Sequence, residues 1–335
     1  MGLMTRTFSG SVMLPTAIGV TLDCLGQTIE GVIEDGSFTL TFPRYQHDEM
    51  FLHAPEFHAP DWLDEFDGEP RFWGVGNLER GGAVVLGLAI WLDTTILPDR
   101  TSDEVTASFV QELFPTAFVQ WIGRVSTLLE LWAGQGVQLF HGFRSEGPVV
   151  QLFDHNTDIG YRPETLETAS GRLAATVGPA RRLVSLDEWQ SAARLVSAGD
   201  APDVVWQMFS RARQLARTEP RFAVIEACTA VEIAIGRRVR ETLYGHPEDA
   251  RDQVVINAGG LYGLFRLYRK LFPGHADWPD VSNALANLRN DVAHAGRQPT
   301  ESEVETALTA ARQTLEVVCP LPAPTTEVVI PPAVG

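Results

Sequence analysis

Apolar and polar residues alternate along much of the N-terminal half of the chain, and turn-forming residues separate the alternating runs. A period of two places every second side chain on one face of a sheet, so these runs are predicted to be β-strands. The expected strands are Thr5–Leu14, Ile18–Leu25, Thr28–Ile33, Ser37–Phe42, Arg71–Val75, Ala83–Leu92, Val149–Phe153 and Arg172–Val177. The polar residues 44–69 between them are predicted to form a loop.

One stretch within this strand-rich half has a helical signal. Thr101 and Glu104 have the spacing of a capping box, in which each side chain accepts a hydrogen bond from a backbone N–H at the start of a helix. We expect Pro115 to break that helix, because proline lacks the N–H that the helix needs, and Thr116–Trp132 to form a second segment. The N-terminal part is therefore predicted to be a mostly β domain with a helical insertion.

From residue 185 onward apolar residues recur every three or four positions, which is the period of an amphipathic helix. The expected helices are Ser185–Val196, Pro202–Arg217, Pro220–Tyr244, Leu261–Leu271, Val281–His294 and Thr300–Val318. Residues 320–335 contain five prolines and are expected to form an extended tail. The predicted fold class is α+β, with a mostly β domain over residues 1–195 and an all-α helical bundle over residues 196–319.

The acidic charge of the chain is distributed unevenly. The net charge is −17; residues 1–199 carry 12 basic and 26 acidic side chains, whereas residues 200–319 carry 14 and 16. Local positive patches attract phosphate even on an acidic molecule. The candidate substrate-binding residues are Arg237, Arg240, Arg266 and Arg269, with Arg238 and Lys270 beside them in the chain. Ordinary solvated arginines on a near-neutral domain are an equally good interpretation from the sequence.

The sequence contains no signal of a membrane span or a secretory leader. No apolar run approaches the roughly 20 residues that cross a bilayer, and Met1–Arg6 lacks the apolar core of a signal peptide. The three cysteines include no Cys-x-x-Cys pair, so neither a disulfide framework nor a zinc site is expected. These features predict a cytoplasmic protein without a membrane partner.

One polar cluster has the side-chain types that bind metals. It comprises His47, Asp48, Glu49, His53, Glu56 and His58. Its spacing matches no helical metal motif, and Pro55 and Pro60 interrupt it, so a loop without a metal is the preferred interpretation.

The residues with the clearest catalytic chemistry lie in the helix predicted to end at His294. Its apolar residues, spaced by 4, 3 and 4 positions, are Val281, Leu285, Leu288 and Val292. At about 100° per residue, Asn290 and His294 fall opposite this apolar face, so His294 is expected to face solvent, a ligand or a partner subunit. Arg289 lies about 140° from His294 on an ideal helix. The two meet within one chain only if the arginine bends around the helix or the helix loosens near Ala293.

Two further arginine–histidine pairs have nearly the same spacing in this part of the chain. These are Arg240 with His246 and Arg269 with His275. Both histidines follow a glycine and lie close to a proline, which is typical of turns. The pair placed on a predicted helix is therefore the preferred candidate.

The segment Leu288–His294 resembles the Arg-polar-x3–5-His signature of HEPN domains, which are all-α domains with nuclease members in toxins, RNA-guided effectors and phage defence. The upstream segment Arg221–Glu232 resembles the long central helix of these domains, and the capped helix after the signature is also similar. The resemblance covers about residues 196–319. The first strands loosely resemble the N-terminal domain of ApeA-like anti-phage HEPN proteins, in the pattern Phe8-x-Gly10-x-Val12-x-Leu14-Pro15.

The resemblance implies a ribonuclease whose catalytic residues are Arg289, Asn290 and His294, with no metal and no cofactor. Histidine exchanges protons near neutral pH and arginine forms a fork to phosphate oxygens, as attack by a ribose 2′-hydroxyl requires. HEPN nucleases commonly build this site between two copies, so a homodimer is expected. The partners implied are RNA, with tRNA the first candidate, and a phage-derived trigger sensed by the N-terminal domain in abortive infection.

Other interpretations stay open from the sequence. A catalytically inactive HEPN domain would bind a nucleotide or a partner, and a purely structural helical module would serve dimerisation alone. Glu226 and Glu232 lie in an apolar helix, where unpaired carboxylates are costly, and are expected to pair with Arg289 or another arginine. Asp291 is expected to be a solvated charge at a helix end rather than a group that orients His294.

Overall fold

The computed structural model describes residues 4–34, 36–45, 52–53, 73–77, 82–96, 114–133, 149–154, 159–161, 182–200, 202–273 and 281–324. The chain divides into two compact units, residues 1–201 with 324–335 and residues 202–323. The first contains an antiparallel sheet with helices, and all regular secondary structure in the described part of the second is helical. None of the described helices is long and apolar enough to span a membrane.

Nine strands lie in the described part of the first unit. They are β1 Met4–Thr21, β2 Thr28–Ile33, β3 Gly36–Thr41, β4 Arg44–Tyr45, β5 Leu52–His53, β6 Gly74–Asn77, β7 Gly82–Ile96, β8 Val149–Asp154 and β9 Ile159–Tyr161. Antiparallel pairing gives the order β2-β3-β7-β1-β8-β9, with β6 also on β7, while β4 and β5 form a separate pair. The long strands β1 and β7 are therefore central in the sheet.

The strand predictions hold in position but not always in extent. The strand expected over Thr5–Leu14 and the first part of the one expected over Ile18–Leu25 form the single strand β1, because its register against β7 shifts between Met13 and Ile18 without ending the pairing. The prediction is wrong for Leu22–Cys24, which form a turn of 3-10 helix. Most of the loop expected at residues 44–69 lies outside the described residues, as does the strand expected over Arg172–Val177.

Two α-helices pack in the described part of the first unit. These are α1 (Phe114–Ala133), which lies between β7 and β8 in the chain, and α2 (Leu186–Ser197). Phe38 of β3 contacts Trp121 of α1 edge to face, with ring centroids 4.9 Å apart, a favourable aromatic geometry. Pro115 is the second described residue of α1, and the segment expected over Thr116–Trp132 is helical. The helix expected before residue 114 lies outside the described residues.

Helix α2 belongs to the sheet-containing unit. Ser185 and Glu188 form the predicted capping box at its start, and Trp189 packs edge to face on Phe42 at 5.5 Å. The helical unit consequently begins at Pro202.

The second unit is built around one long helix. Its elements are α3 Val204–Leu215, α4 Pro220–Thr242, α5 Glu248–Asn257, α6 Leu261–Leu271, a π-helical segment Ser282–Asn287, α7 Leu288–His294 and α8 Glu301–Val318. Every other helix of the unit contacts α4. The buried residues of α4 are mostly small, alanine above all, which lets neighbouring helices approach it from several sides.

Candidate active site

The helix that carries Arg289 and His294 begins with a π-helical segment. This segment covers Ser282–Asn287, and regular α-helix continues from Leu288 to His294. Cys228 of α4 donates from Sγ to the carbonyl oxygen of Leu285, 3.5 Å away, within the π-helical segment. The sequence pattern predicts one continuous α-helix and misses this feature, which is frequent at functional sites.

The apolar face predicted for this helix is buried. Val281, Leu285 and Val292 are fully enclosed, and Leu288 is almost so. The π-helical segment and α7 pack on α4, and the segment also contacts α6 and α8. The spacing-based prediction of the buried face is confirmed. The opposite side of α7 is exposed.

His294 is the last residue of α7, and its side chain is exposed. The helix ends at once, because Gly296 adopts a φ of 66°, a conformation that favours glycine and stops helices. Arg221, at the start of α4, donates from Nη2 to the Val292 carbonyl oxygen at 3.2 Å. A guanidinium therefore satisfies a C-terminal carbonyl of α7 within the same turn as the exposed imidazole.

Arg289 is half-buried in the first turn of α7. Its Nη1 lies 3.4 Å from Oδ1 of Asn290. Burial raises the pKa of the Cys228 thiol to about 12, the positive charge of Arg289 lowers it, and the negative charge of Glu232 raises it. Arg289 forms no ion pair within the described residues. Its charge is available to an anion.

Arg289 and His294 face different sides of the same short helix. Five residues at about 100° each leave the two side chains about 140° apart. The helix stays regular up to His294, so it does not loosen near Ala293, and the π-helical segment lies upstream of both residues. The backbone therefore directs the two residues to different sides, while the Arg289 guanidinium reaches Asn290, which lies about 40° from His294 on an ideal helix.

The neighbouring carboxylates form structural ion pairs. Asp291 Oδ2 lies 3.5 Å from Nη1 of Arg297 and remains more than half exposed, as expected for a solvated charge at a helix end. Glu226 Oε1 lies 3.9 Å from Nε of Arg211, so its partner is an arginine of α3 rather than one of α7.

The other histidines considered from the sequence do not share the position of His294. His246 is exposed in the turn after α4, where its backbone N–H donates to the Leu243 carbonyl oxygen at 2.9 Å. His275 lies outside the described residues. Of the metal-type cluster, only His53 is described, in β5. Across the described ranges, no group of three or more His, Cys, Asp or Glu side chains is arranged to hold a metal ion.

The four arginines predicted to bind substrate have different partners. Arg237 Nη1 donates to both carboxylate oxygens of Asp203, at 2.7 and 2.9 Å. Arg240 Nε donates to Asp252 Oδ1 at 2.6 Å. The other two, on the exposed side of α6, are Arg266 and Arg269. Carboxylates thus neutralise Arg237 and Arg240, whereas the two arginines on α6 form no ion pair with any described residue.

Comparison of the chain with protein-family models, curated protein sequences and solved structures gave no match. The chemistry available on α7 follows from its side chains. These are an exposed imidazole, an amide and a guanidinium without an ion-pair partner among the described residues. Together they can move protons near neutral pH and bind a phosphate.

Proposed function

We propose that the helical unit is a HEPN-type endoribonuclease whose active site contains Arg289, Asn290 and His294. The observation that carries the proposal is the exposed His294 at the end of a helix whose opposite face is buried. A histidine held there adds nothing to the core, and Arg289 on the same helix has a free charge within the described residues. Proton transfer and stabilisation of a pentavalent phosphate need these two groups.

In the proposed reaction one imidazole takes the proton of a ribose 2′-hydroxyl, and the 2′-oxygen forms a bond to the adjacent phosphorus. The bond from phosphorus to the 5′-oxygen breaks, and a protonated imidazole donates its proton to that oxygen. One product ends in a 2′,3′-cyclic phosphate and the other in a 5′-hydroxyl. Arg289 binds the non-bridging oxygens as their charge grows, and Asn290 orients the phosphate or the imidazole.

Acid and base roles at the same time require two imidazoles, and a second copy of the chain supplies the other one. A two-fold axis close to the end of α7 would bring two His294 side chains and two Arg289 side chains around one phosphodiester. The exposed side of α7, which carries Asn290 and His294, is where the second copy would lie.

The biological setting follows from the HEPN resemblance alone. The proposed role is phage defence by abortive infection, in the cytoplasm, with tRNA as the first substrate to test. The N-terminal part would sense a phage-derived trigger. Its 26 acidic against 12 basic side chains over residues 1–199 would lower the affinity for RNA before that trigger binds, without abolishing cleavage.

The test is incubation of the full chain with total RNA in excess EDTA. The wild type is expected to cut RNA and to leave DNA intact, because DNA lacks the attacking 2′-hydroxyl. His294→Ala and Arg289→Ala should each lower the rate by about 100-fold or more. His246→Ala, an exposed histidine in a turn, is the matched control and should cut at the wild-type rate.

Two results would remove the nuclease proposal. Equal cleavage by the wild type and both α7 variants would place the activity elsewhere. Binding of RNA or a nucleotide by the wild type without cleavage would favour the inactive binding module instead.

A further inference from the structure

Helix α6 places apolar and basic side chains on opposite sides. Its buried residues are Leu261, Leu264, Phe265 and Tyr268, and the helix packs against α4 and the π-helical segment. Its exposed side chains, here named the α6 cationic face, are Tyr262, Arg266, Arg269 and Lys270. On an ideal helix these four fall within an arc of about 100° and span about 12 Å along the axis.

The three cations of this face form no ion pair within the part of the chain that the structure describes. No acidic residue occurs in α6. Arg237 and Arg240, by contrast, each bind a carboxylate directly. Three uncompensated charges on one short helix, in a chain with a net charge of −17, favour a ligand with several negative charges.

An aromatic ring lies among these charges. The side chain of Tyr262 is 51% exposed, and Cζ of Arg266 lies 5.9 Å from its ring centroid, a cation–π distance. This contact holds the ring beside the cations at the surface. Unpaired bases stack on exposed rings of this kind while neighbouring cations bind their phosphates.

We propose that the α6 cationic face binds single-stranded RNA, with phosphates on Arg266, Arg269 and Lys270 and one base stacked on Tyr262. The choice of RNA rests on the proposed function; the choice of a single strand rests on Tyr262. A duplex keeps its base faces stacked and closed, and an acidic peptide would use the cations but not the ring.

The experiment measures binding of a fluorescein-labelled single-stranded RNA of mixed sequence by fluorescence anisotropy. All its 2′-hydroxyls are methylated, so that it cannot be cut by 2′-oxygen attack and binding is separated from cleavage. The full chain is compared with Tyr262→Ala, Tyr262→Phe and the triple variant Arg266→Gln/Arg269→Gln/Lys270→Gln. The charge control is Arg312→Gln, which removes an arginine paired with Glu316 at 2.8 Å on α8.

Tyr262→Ala should weaken binding about 5- to 150-fold, the range for loss of one stacked base, and Tyr262→Phe should bind like the wild type. The triple variant should lower the slope of log affinity against log salt by about 2, since each single-strand phosphate contact contributes about 0.7. Arg312→Gln should change neither the affinity nor its dependence on salt. Circular dichroism of each variant confirms that the exposed substitutions leave the fold intact.

Three results would overturn the proposal: no binding by the wild type, equal binding by the triple variant, or equal displacement of the RNA by polyglutamate and by unlabelled RNA. The proposal would also be overturned if duplex RNA bound as tightly as the single strand and Tyr262→Ala did not weaken binding. The face would then bind RNA through charge alone. None of these results bears on cleavage by His294. Conversely, binding of the methylated strand as predicted would stand even if the chain cut no RNA.

Discussion

Arg297 ties the end of α7 to the start of α8. Its side chain pairs with Asp291 at 3.5 Å and with Glu303, and its backbone N–H donates to the Asp291 carbonyl at 3.2 Å. Thr300 and Glu303 form the capping box that the sequence predicts for α8. Because His294 lies between Asp291 and Arg297 in the chain, these contacts close a short turn around it.

The Glu303 carboxyl gives this turn a pH dependence. Hydrogen bonds from Thr300 and then from Arg297 lower its pKa from 4.5 to about 2. Ionised Glu303 therefore stabilises the folded chain above about pH 4.5, and that contribution is lost as the pH falls through about 2. The urea midpoint of Glu303→Gln should lie below that of the wild type at neutral pH, and the gap should shrink through this window.

Glu301→Gln is the control for loss of one exposed charge in the same helical turn. A gap for Glu303→Gln that stays constant down to about pH 3, or an identical curve for Glu301→Gln, would contradict the role of the Glu303 contacts.

The exposure of His294 was predictable, but the surroundings of Arg289 were not. His294 lies opposite an apolar face whose spacing is visible in the sequence. The charge of Arg289 lowers the pKa of the Cys228 thiol, which lies on another helix more than 50 residues away in the chain. Only packing of α7 on α4 brings them together, and periodicity alone does not specify which helices pack.

At the level of elements, the helices with an apolar face or a cap were predictable and those without were not. The sequence pattern misses α5, because none of its side chains is buried and no apolar period marks it. It also misses the π-helical segment, since the residue types of Ser282–Asn287 suit an α-helix equally well. Both features depend on neighbouring helices rather than on local propensity.

Leu285 tests the packing of the π-helical segment. Its side chain is fully buried, so Leu285→Ala should lower the free energy of unfolding by about 2–5 kcal/mol through lost contacts and a cavity. Ala293→Ser, on the exposed side of α7, should change it by no more than about 0.5 kcal/mol. Chemical denaturation at neutral pH measures both; a change below about 1 kcal/mol for Leu285→Ala would show that the segment does not pack as described.

At the level of the whole molecule, strand pairing is the part that the sequence leaves open. Alternation identifies β1 as extended, but its partners β7 and β8 pair Phe8 with Leu92 and with Asp154. Nothing local in the chain specifies partners so far apart. The uneven distribution of charge could be read from the sequence. Only the structure shows that the cations of the α6 cationic face form no ion pair with described residues.

The proposed active site needs two copies of the chain, and mixed dimers test this most directly. Wild-type protein and His294→Ala, carrying tags of different mass, are mixed in varying ratio at constant total concentration. After mass analysis shows that subunits have exchanged, RNA cleavage is measured in excess EDTA. If each site needs two His294 side chains, only dimers of two wild-type copies cut, so half wild-type protein should retain about one quarter of the activity.

A site shared by two copies predicts that activity depends on the square of the wild-type fraction. Retention of about one half of the activity, in direct proportion to wild-type protein, would contradict it, because each copy would then cut RNA on its own.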